Sequence, residues 1–463
     1  MVMKILLIQP PPRHITNESV VVPPLGLAYL AAVLEKANYK VKILDAFALR
    51  LSWIDFETKV RNEKPDLIGF SGMSPVIDTT FKAAKVCRKY SRYIVMGGPH
   101  VSVFKDAVFS QCSEIDFAVY GEGEITFLEL IKRLEGNGGL QDIKGLISRD
   151  GVNPPQELIE DLDSLPFPAR HLLPNKFYKY VLSSKENVTS MFTSRGCPYR
   201  CVFCDKSVFG SRWRSRSPEN ILDEAEQIVK EIKVDSIIFY DDLFTLKKER
   251  VIKFCEGILQ RGLKFDWKCE GRADLVDSEM LEIMKKAGCS MIAYGVESGN
   301  EKGLEYLNKK TDLENIRRAF KLTDKAGIRT MAYFILGIPN ETYEDELKTI
   351  NFAKEINPTY AQFSALSPYY GTWIYEEAKR RGWYREIDAQ NPVDKDLKRP
   401  VVISENWDEE KLKKIVKEAH RQFYFRFSYI FKKLMEFKNL RQFFNTIKVF
   451  IGMVFWYFKG KAE

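Results

Sequence analysis

The stretch Thr193-Ser-Arg-Gly-Cys197-Pro-Tyr-Arg-Cys201-Val-Phe-Cys204 sets three cysteines within eight residues. With eight cysteines in 463 positions, that preset spacing arises by chance with a probability on the order of 0.002, so it reads as a site. Soft thiolates select an iron–sulfur cluster or zinc. A closed structural zinc site takes a fourth protein ligand at short spacing, and none follows. Cys255, Cys269 and Cys289 stand singly in apolar or helical context and read as small core residues. Three thiolates on a [4Fe–4S] cluster leave one iron open to a reacting molecule.

Around the cysteines, β-rich runs alternate with helical stretches. The runs are Val188 to Phe192, Ser236 to Tyr240, Phe265 to Glu270, Met291 to Val296, Thr330 to Leu336 and Gln362 to Leu366. Six βα repeats are too few for a closed eight-stranded barrel and enough for an open one, a partial (β/α)6 TIM-like barrel. Working residues in such folds lie where strands end. Asp241-Asp242, Arg272, Glu297-Ser298 and Gly337-Ile-Pro339-Asn-Glu341-Thr342 fall there. Each has a plainer reading, acidic residues as helix caps (Thr342 also) and Gly-x-Pro as a turn.

Ahead of the barrel, residues 1–145 carry five βα units, with strands at Lys4 to Ile8, Tyr39 to Asp45, Asp66 to Phe70, Tyr93 to Met96 and Asp116 to Val119. Leu27, Leu30, Ala31 and Leu34 recur at helical spacing between Pro23-Pro24 and Asn38, a C-terminal cap. The pattern predicts an α/β, doubly wound parallel sheet whose ligand sits beyond the carboxyl ends of the strands. The loops at those ends are rich in small residues: Pro10-Pro11-Pro12, Ser71-Gly72-Met73, Gly97-Gly98-Pro99-His100 and Gly121-Glu122-Gly123-Glu124. Such loops let backbone approach a large planar ligand. No Gly-x-Gly-x-x-Gly follows the first strand, which argues against a dinucleotide.

The spacing Cys197-x-x-x-Cys201-x-x-Cys204, with Phe203 before the last cysteine, resembles the signature of the radical S-adenosylmethionine (SAM) enzymes. Pro23-Pro24-Leu-Gly-Leu-Ala-Tyr-Leu-Ala31 and Tyr120-Gly-Glu-Gly-Glu124 look like the cobalamin-binding domain found at the front of one subgroup. The resemblance implies that Cys197, Cys201 and Cys204 hold a [4Fe–4S] cluster whose fourth iron takes SAM. It places Phe203 against adenine, Asp242 at the SAM amino group, Glu297 and Ser298 at its ribose and methionine portion, Arg272 at its carboxylate, and Gly337 to Pro339 near adenine. Reductive cleavage of SAM would give a 5′-deoxyadenosyl radical that abstracts hydrogen. For cobalamin it implies Pro10, Ser71, Gly72, Met73, Gly97, Gly98, His100, Gly121 and Glu122. The Asp-x-His-x-x-Gly segment of classical cobalamin domains is missing, and members of the subgroup can bind cobalamin without a protein ligand. His100 is the candidate ligand on that edge, with hydrogen bonding as its alternative.

Hydrophobic residues make up 45% and charged residues 29%, which excludes global disorder. The net charge of +8 is too mild to indicate nucleic acid, and nearly all of it falls after Arg421. There nine basic residues stand among fourteen aromatic ones, a composition suited to an anionic membrane surface or to packing on the barrel. The longest apolar run, Val449 to Phe458, is about half of a membrane span. The expected organisation is a cobalamin-binding-like domain (1–145), a linker (146–185), a radical SAM domain (186–375) and a helical, basic-aromatic region (376–463).

The expected activity is SAM cleavage followed by methylation of an unactivated carbon on an apolar lipid, isoprenoid or tetrapyrrole. The alternatives are oxidative cyclisation or carbon–carbon bond formation, and a non-catalytic cluster- or corrinoid-binding, redox-sensing protein. Expected partners are a small-molecule substrate, a ferredoxin or flavodoxin as electron donor, and a membrane surface through residues 421–463, with no nucleic acid. The expected compartment is the cytoplasm, at the inner face of the membrane.

Overall fold

The computed structural model describes residues 3–13, 20–136, 138–183, 185–385 and 401–435. The chain forms two compact units. One is Met1–Pro198, Asp205–Glu270 and Lys286–Cys289; the other is Tyr199–Cys204, Gly271–Lys285 and Ser290–Glu463.

The first unit begins with a seven-stranded sheet. Its strands are β1 (Ile5–Gln9), β2 (Val41–Asp45), β3 (Leu67–Ser71), β4 (Tyr93–Gly97), β5 (Phe117–Val119), β6 (Leu146–Ser148) and β7 (Gly151–Val152), ordered β2-β1-β3-β4-β5-β6-β7. The first five are parallel and β6 and β7 antiparallel. Alternation along the strands explains the double winding. Leu6, Ile8, Ile68, Phe70, Ile94 and Met96 face one core, filled by Phe56, Val60, Ala83 and Cys87 from α2 (Trp53–Glu63) and α3 (Ile77–Cys87). Ile5, Leu7, Leu67 and Val95 face the other, with Leu27, Ala31 and Leu34 from α1 (Leu25–Lys36) and Phe127 and Leu130 from α4 (Glu124–Gly136). Asn38 follows α1 with φ +66°, a left-handed conformation that Asn tolerates. Strand order reverses at β1, the position at which such sheets take ligands beyond the carboxyl ends of their strands.

Six further strands follow in chain order, β8 (Val188–Met191), β9 (Ser236–Phe239), β10 (Asp266–Gly271), β11 (Cys289–Glu297), β12 (Arg329–Leu336) and β13 (Tyr360–Ala365). In the first unit β8, β9 and β10 pair in parallel; in the second β11, β12 and β13 do. This is the expected partial barrel. Helices α5 (Pro218–Gln227), α6 (Lys248–Gln260), α7 (Ser278–Lys286), α8 (Leu313–Lys325) and α9 (Tyr343–Ile356) lie between strands. Thr342 opens α9 through a reciprocal capping box with Asp345, so its plainer reading as a cap holds. On the helix side of β9 and β10, Phe239, Phe244, Phe254 and Trp267 form one aromatic cluster, with Trp267 Nε1 donating to Ala287 O at 2.8 Å.

The region after residue 376 differs from a detached tail. In α10 (Glu409–Tyr424), Leu412, Ile415, Val416, Ala419 and Phe423 are buried, facing β13 and α9. Tyr424 Oη donates to Ala361 O at 2.6 Å, and Tyr429 Oη, on α11 (Phe427–Met435), donates to Thr359 O at 2.9 Å. Much of the aromatic content up to Tyr429 thus packs on the second unit, because these rings close an edge strand. Phe427 and Phe431 remain 84% and 57% exposed. Residues 436–463, including Val449 to Phe458, lie outside the described residues. Among the described residues no helix is long and apolar enough to cross a membrane.

Trp267→Ala is expected to cost about 3–5 kcal/mol in chemical denaturation, whereas Ile54→Ala, at a residue 79% exposed, stays within about 0.5 kcal/mol. Equal losses at the two positions would contradict the packing described.

Candidate functional site

The cysteine stretch is a loop closed at its base by pairing of Ser194–Arg195 with Arg214–Ser215. Gly196 turns the chain there with φ +81°, and a Cβ would lie 2.4 Å from Arg212 O, so only glycine fits. The Gly196 amide donates to Asp242 Oδ2 at 2.9 Å, and Lys206 Nζ donates to Cys197 O at 2.6 Å. Asp241 is buried and accepts from Thr193 N at 2.7 Å, the Thr193 hydroxyl and Ser194 Oγ at 2.6 Å. The two neighbouring acids therefore differ: Asp241 braces the strand, and Asp242, which is exposed, holds the turn before Cys197.

All eight thiols are free. Cys204 is exposed and Cys197 and Cys201 half-exposed, while the other five cysteines are buried. Burial pushes the Cys87, Cys255 and Cys269 thiols well up and keeps them protonated and inert. Three accessible thiols on one short loop fit the donor set of an iron–sulfur cluster. Among the described residues no group of three His, Cys, Asp or Glu side chains is gathered to hold a single ion.

In the second unit Val202 N donates to Leu307 O and Ile374 N to Val202 O, both at 3.1 Å. Phe203 packs beside Leu307, Ile338 and Leu366. Arg272 lies over the Tyr199 ring at 3.6 Å, donates to Lys309 O at 2.8 Å and Lys310 O at 2.9 Å, and pairs with Asp274 at 3.0 Å. Its guanidinium thus steadies the loop through Tyr199. Glu297 sits at φ +69° beside a register shift, with its carboxylate 2.7 Å from Lys309 Nζ. A charged residue held left-handed at a strand end is the kind of strain that clusters at working sites.

Ser298 Oγ donates to Glu341 Oε1 at 2.9 Å. Gly337 (φ +80°) has no room for a Cβ, which would lie 2.2 Å from Leu412 of α10. Glu346 Oε1 accepts from Gly337 N at 2.6 Å and Ile338 N at 3.2 Å, Trp407 Nε1 donates to Ile338 O at 3.1 Å and Glu341 O at 2.9 Å, and Asn406 Nδ2 donates to Pro339 O at 3.0 Å. Sequence reasoning missed Glu346, Trp407 and Leu412. The apolar spacing of Leu412, Ile415, Val416 and Ala419 was the available signal.

The first-unit candidates lie at the carboxyl ends of β1, β3, β4 and β5, neighbours in the sheet. Pro10 follows β1. Ser71 ends β3 and Gly97 ends β4; Gly72 N donates to Gly97 O at 2.8 Å, and Gly121 N to Ser102 Oγ at 3.0 Å. A Cβ on Gly98 (φ +93°) would press on Ser71 and Gly72. Met73 is 51% exposed. His100 is buried, with Nδ1 3.0 Å from Ser74 Oγ, Nε2 2.7 Å from Gln111 Oε1 and its ring stacked on Phe104. Both nitrogens are engaged within the protein, the hydrogen-bonding alternative. Glu122 is buried and takes Arg195 at 2.8 Å, Arg214 at 2.8 Å and Ile159 N at 2.8 Å, while Glu124 takes Arg195 at 2.6 Å. Arg195 and Arg214 were missed, although Arg195 stands two residues before Cys197.

Glu341 and Glu346 are both fully buried, and each has an Oε2 without a partner among the described residues. Burial raises Glu341 to about 7, and burial together with the Glu341 charge pushes Glu346 up. Protonating one carboxyl supplies the missing donor. Folded-state pKa values above the unfolded ones give stability that is full below about pH 4.5 and lost as pH rises through about 7. Wild-type protein should therefore lose on the order of 1–3 kcal/mol between pH 5 and 8 through this pair. Glu341→Gln should flatten that slope in denaturation series, and an unchanged slope would dismiss the shared proton.

Residues 16–131 match the family model of the B12 binding domain, and residues 191–353 that of the Radical SAM superfamily. The chain is 34% identical over 444 residues to an uncharacterized methyltransferase, PH0819, of Pyrococcus horikoshii, covering 94% of this chain and 95% of that protein. It is 28% identical over 443 residues to an anaerobic magnesium-protoporphyrin IX monomethyl ester cyclase of Rubrivivax gelatinosus, covering 93% and 79%. Among solved structures, the fold is similar to that of OxsB, a cobalamin-dependent S-adenosylmethionine radical enzyme with aqua-cobalamin and S-adenosylmethionine bound. The TM-score is 0.77 at 20% identity, over 99% of this chain and 72% of that one. With a relative matched along nearly its whole length and both domain models in order, the chain belongs to the radical SAM enzymes that carry a B12-binding domain.

Proposed function

We propose that this protein is a cobalamin-dependent radical SAM methyltransferase acting on a substrate with a large apolar body of lipid, isoprenoid or tetrapyrrole type. The observation that carries the reading is the division of the thiols, with Cys197, Cys201 and Cys204 accessible and five others sealed. Those three would hold the cluster. When bound, cluster, SAM and cobalamin together supply an electron, a 5′-deoxyadenosyl radical and a transferable methyl group.

The chain's own residues bind and orient. Asp242 faces solvent at the turn before Cys197 and would take the SAM amino group. Phe203, beside Ile338, and the Gly337–Pro339 backbone would enclose adenine, with Glu297, Ser298 and Arg272 at the remainder of SAM. Pro10, Ser71, Gly72, Met73, Gly97, Gly98, Gly121 and Glu122 would form the corrin-facing edge. Cobalamin there would be held without the His100 imidazole, and Glu122 would shape the edge through its backbone. The reducing electron comes from a ferredoxin- or flavodoxin-class donor.

A second reading, oxidative cyclisation without methyl transfer, is favoured by the likeness to the Rubrivivax cyclase over most of both chains. Anaerobically reconstituted protein, reduced in the presence of SAM, should release 5′-deoxyadenosine. Cys197→Ala, Cys201→Ala or Cys204→Ala should each lower release at least about a hundredfold, and Cys255→Ala should keep it. No release from protein with a full cluster would overturn the enzymatic reading, whereas release without transfer of a labelled SAM methyl group to cobalamin or product would favour cyclisation.

Membrane contact is proposed for the face bearing Phe427 and Phe431, whose rings are exposed and stacked at 6.3 Å. Full-length protein should sediment with anionic vesicles, and a Phe427→Ser, Phe431→Ser double variant should sediment at least about threefold less. Equal sedimentation would remove the proposal.

A further inference from the structure

We infer that the inner face of the first barrel strands carries a receptor for an anionic group of the substrate, a carboxylate or a phosphate, built from Lys268 and Tyr240 and oriented by Tyr180. The inference rests on the proposed radical SAM activity and narrows its substrate from apolar to apolar with an acid group.

The argument begins with strand alternation. On β10, Trp267 belongs to the aromatic cluster with Phe239 and Phe254, and Cys269 is buried on the same side. Lys268 and Glu270 therefore point to the opposite face, away from the helices. Phe239 likewise fixes the side to which Tyr240 points as β9 ends. The register sets Ile238 beside Lys268, so Tyr240 and Glu270 stand one layer nearer the carboxyl end. Asp242, two residues beyond Tyr240, holds the glycine before Cys197. The cluster thus lies just below the loop where the chemistry is proposed.

Lys268 is 6% exposed. Its ammonium donates to Tyr180 Oη at 2.8 Å and stands over the Tyr180 and Tyr240 rings at 4.1 and 5.6 Å. Its carboxylate neighbour, Glu270, is 4.0 Å away, beyond hydrogen-bond range. A buried ammonium carries three donors, and one hydrogen bond with two ring faces leaves donor capacity directed along this face. Tyr240 is half-buried, and burial raises its phenol, which keeps it a neutral donor. Tyr180 is fixed by pairing of Lys179–Tyr180 with Val20–Val21, so it positions the ammonium.

A point charge beside a phenol suits a carboxylate or phosphate, and the ring faces suit the apolar body next to it. A substrate with no acid group would leave the ammonium's remaining donor capacity unused, because Glu270 at 4.0 Å balances its charge without accepting a hydrogen bond. The pair therefore selects between otherwise similar apolar molecules.

The test uses full-length reconstituted protein and ligand-observed NMR with phenylacetate, phenyl phosphate and the neutral phenethyl alcohol. One anion is expected to bind saturably, phenylacetate if the group is a carboxylate and phenyl phosphate if it is a phosphate. Lys268→Met should weaken that binding at least about tenfold, Lys268→Arg should stay within about threefold, and Tyr240→Phe should weaken it about threefold. Equal binding of the alcohol, no binding of either anion, or unchanged binding in Lys268→Met would overturn the proposal. Should Lys268→Met fail to fold, Tyr240→Phe with unaltered affinity would overturn it. Probe binding requires no SAM cleavage, so wild-type protein that binds the anion and releases no 5′-deoxyadenosine would sink the enzymatic reading alone.

Discussion

Arg195 is the fastening point of the first unit. Its guanidinium joins Glu122 and Glu124, and Glu122 in turn joins Arg214, all within a few per cent of full burial. The Tyr29 ring lies 5.3 Å from the same guanidinium. A second knot, Arg170–Glu224–Arg216, is buried just as deeply. Two arginines against two glutamates leave the first group neutral, which is what allows so many charges out of water. Removing one partner from such a group strands the rest, at a cost of about 3–5 kcal/mol. The Gly121–Glu124 loop and the strand leading to Cys197 are therefore tied by the same charges. A chain that builds its cysteine loop correctly has also built the end of β5.

Much of the architecture could be read from residues alone. Each of the eleven β-rich runs became a strand, shifted by at most two residues, because period-two alternation and βα punctuation are local properties. The antiparallel β6 and β7 escaped notice because they are two to three residues long. Residue type and spacing located the loop with three accessible thiols, the left-handed Gly337 and the small-residue loops at the sheet edge. The site was not legible where a side chain has two credible fates. His100, read as a ligand or a hydrogen-bonding residue, and Glu122 both find partners inside the protein, and only tertiary packing reveals that Gln111 or Arg214 is near. Arg272 likewise has partners that only packing reveals, the Tyr199 ring, Asp274 and the carbonyls of Lys309 and Lys310.

The C-terminal region shows a different limit. Its aromatic and basic content drew a membrane reading, while the apolar spacing within Glu409–Tyr424, the signal for packing, went unread. That helix reaches Gly337 through Leu412, and Trp407 just before it ties the carbonyls of Ile338 and Glu341. The turn proposed to face adenine is thus shaped from outside the six repeats. Its amides are held by the Glu346 carboxylate, which is buried beside Glu341. Composition cannot distinguish a ring destined for lipid from one that closes an edge strand, because both burials remove the same surface from water.

The contrast between open and sealed thiols also governs how the protein ages in air. Sulfenic acids and mixed disulfides form on accessible thiolates, so oxygen damage would begin on the one loop whose sulfurs matter and spare the five in the cores. Inactivated material would keep its folded spectrum, and a mild thiol reductant applied before iron and sulfide return would restore it. An alkylating reagent under native conditions would count three sulfurs in stripped protein and fewer in loaded protein. That difference gives a direct gauge of occupancy that needs no substrate.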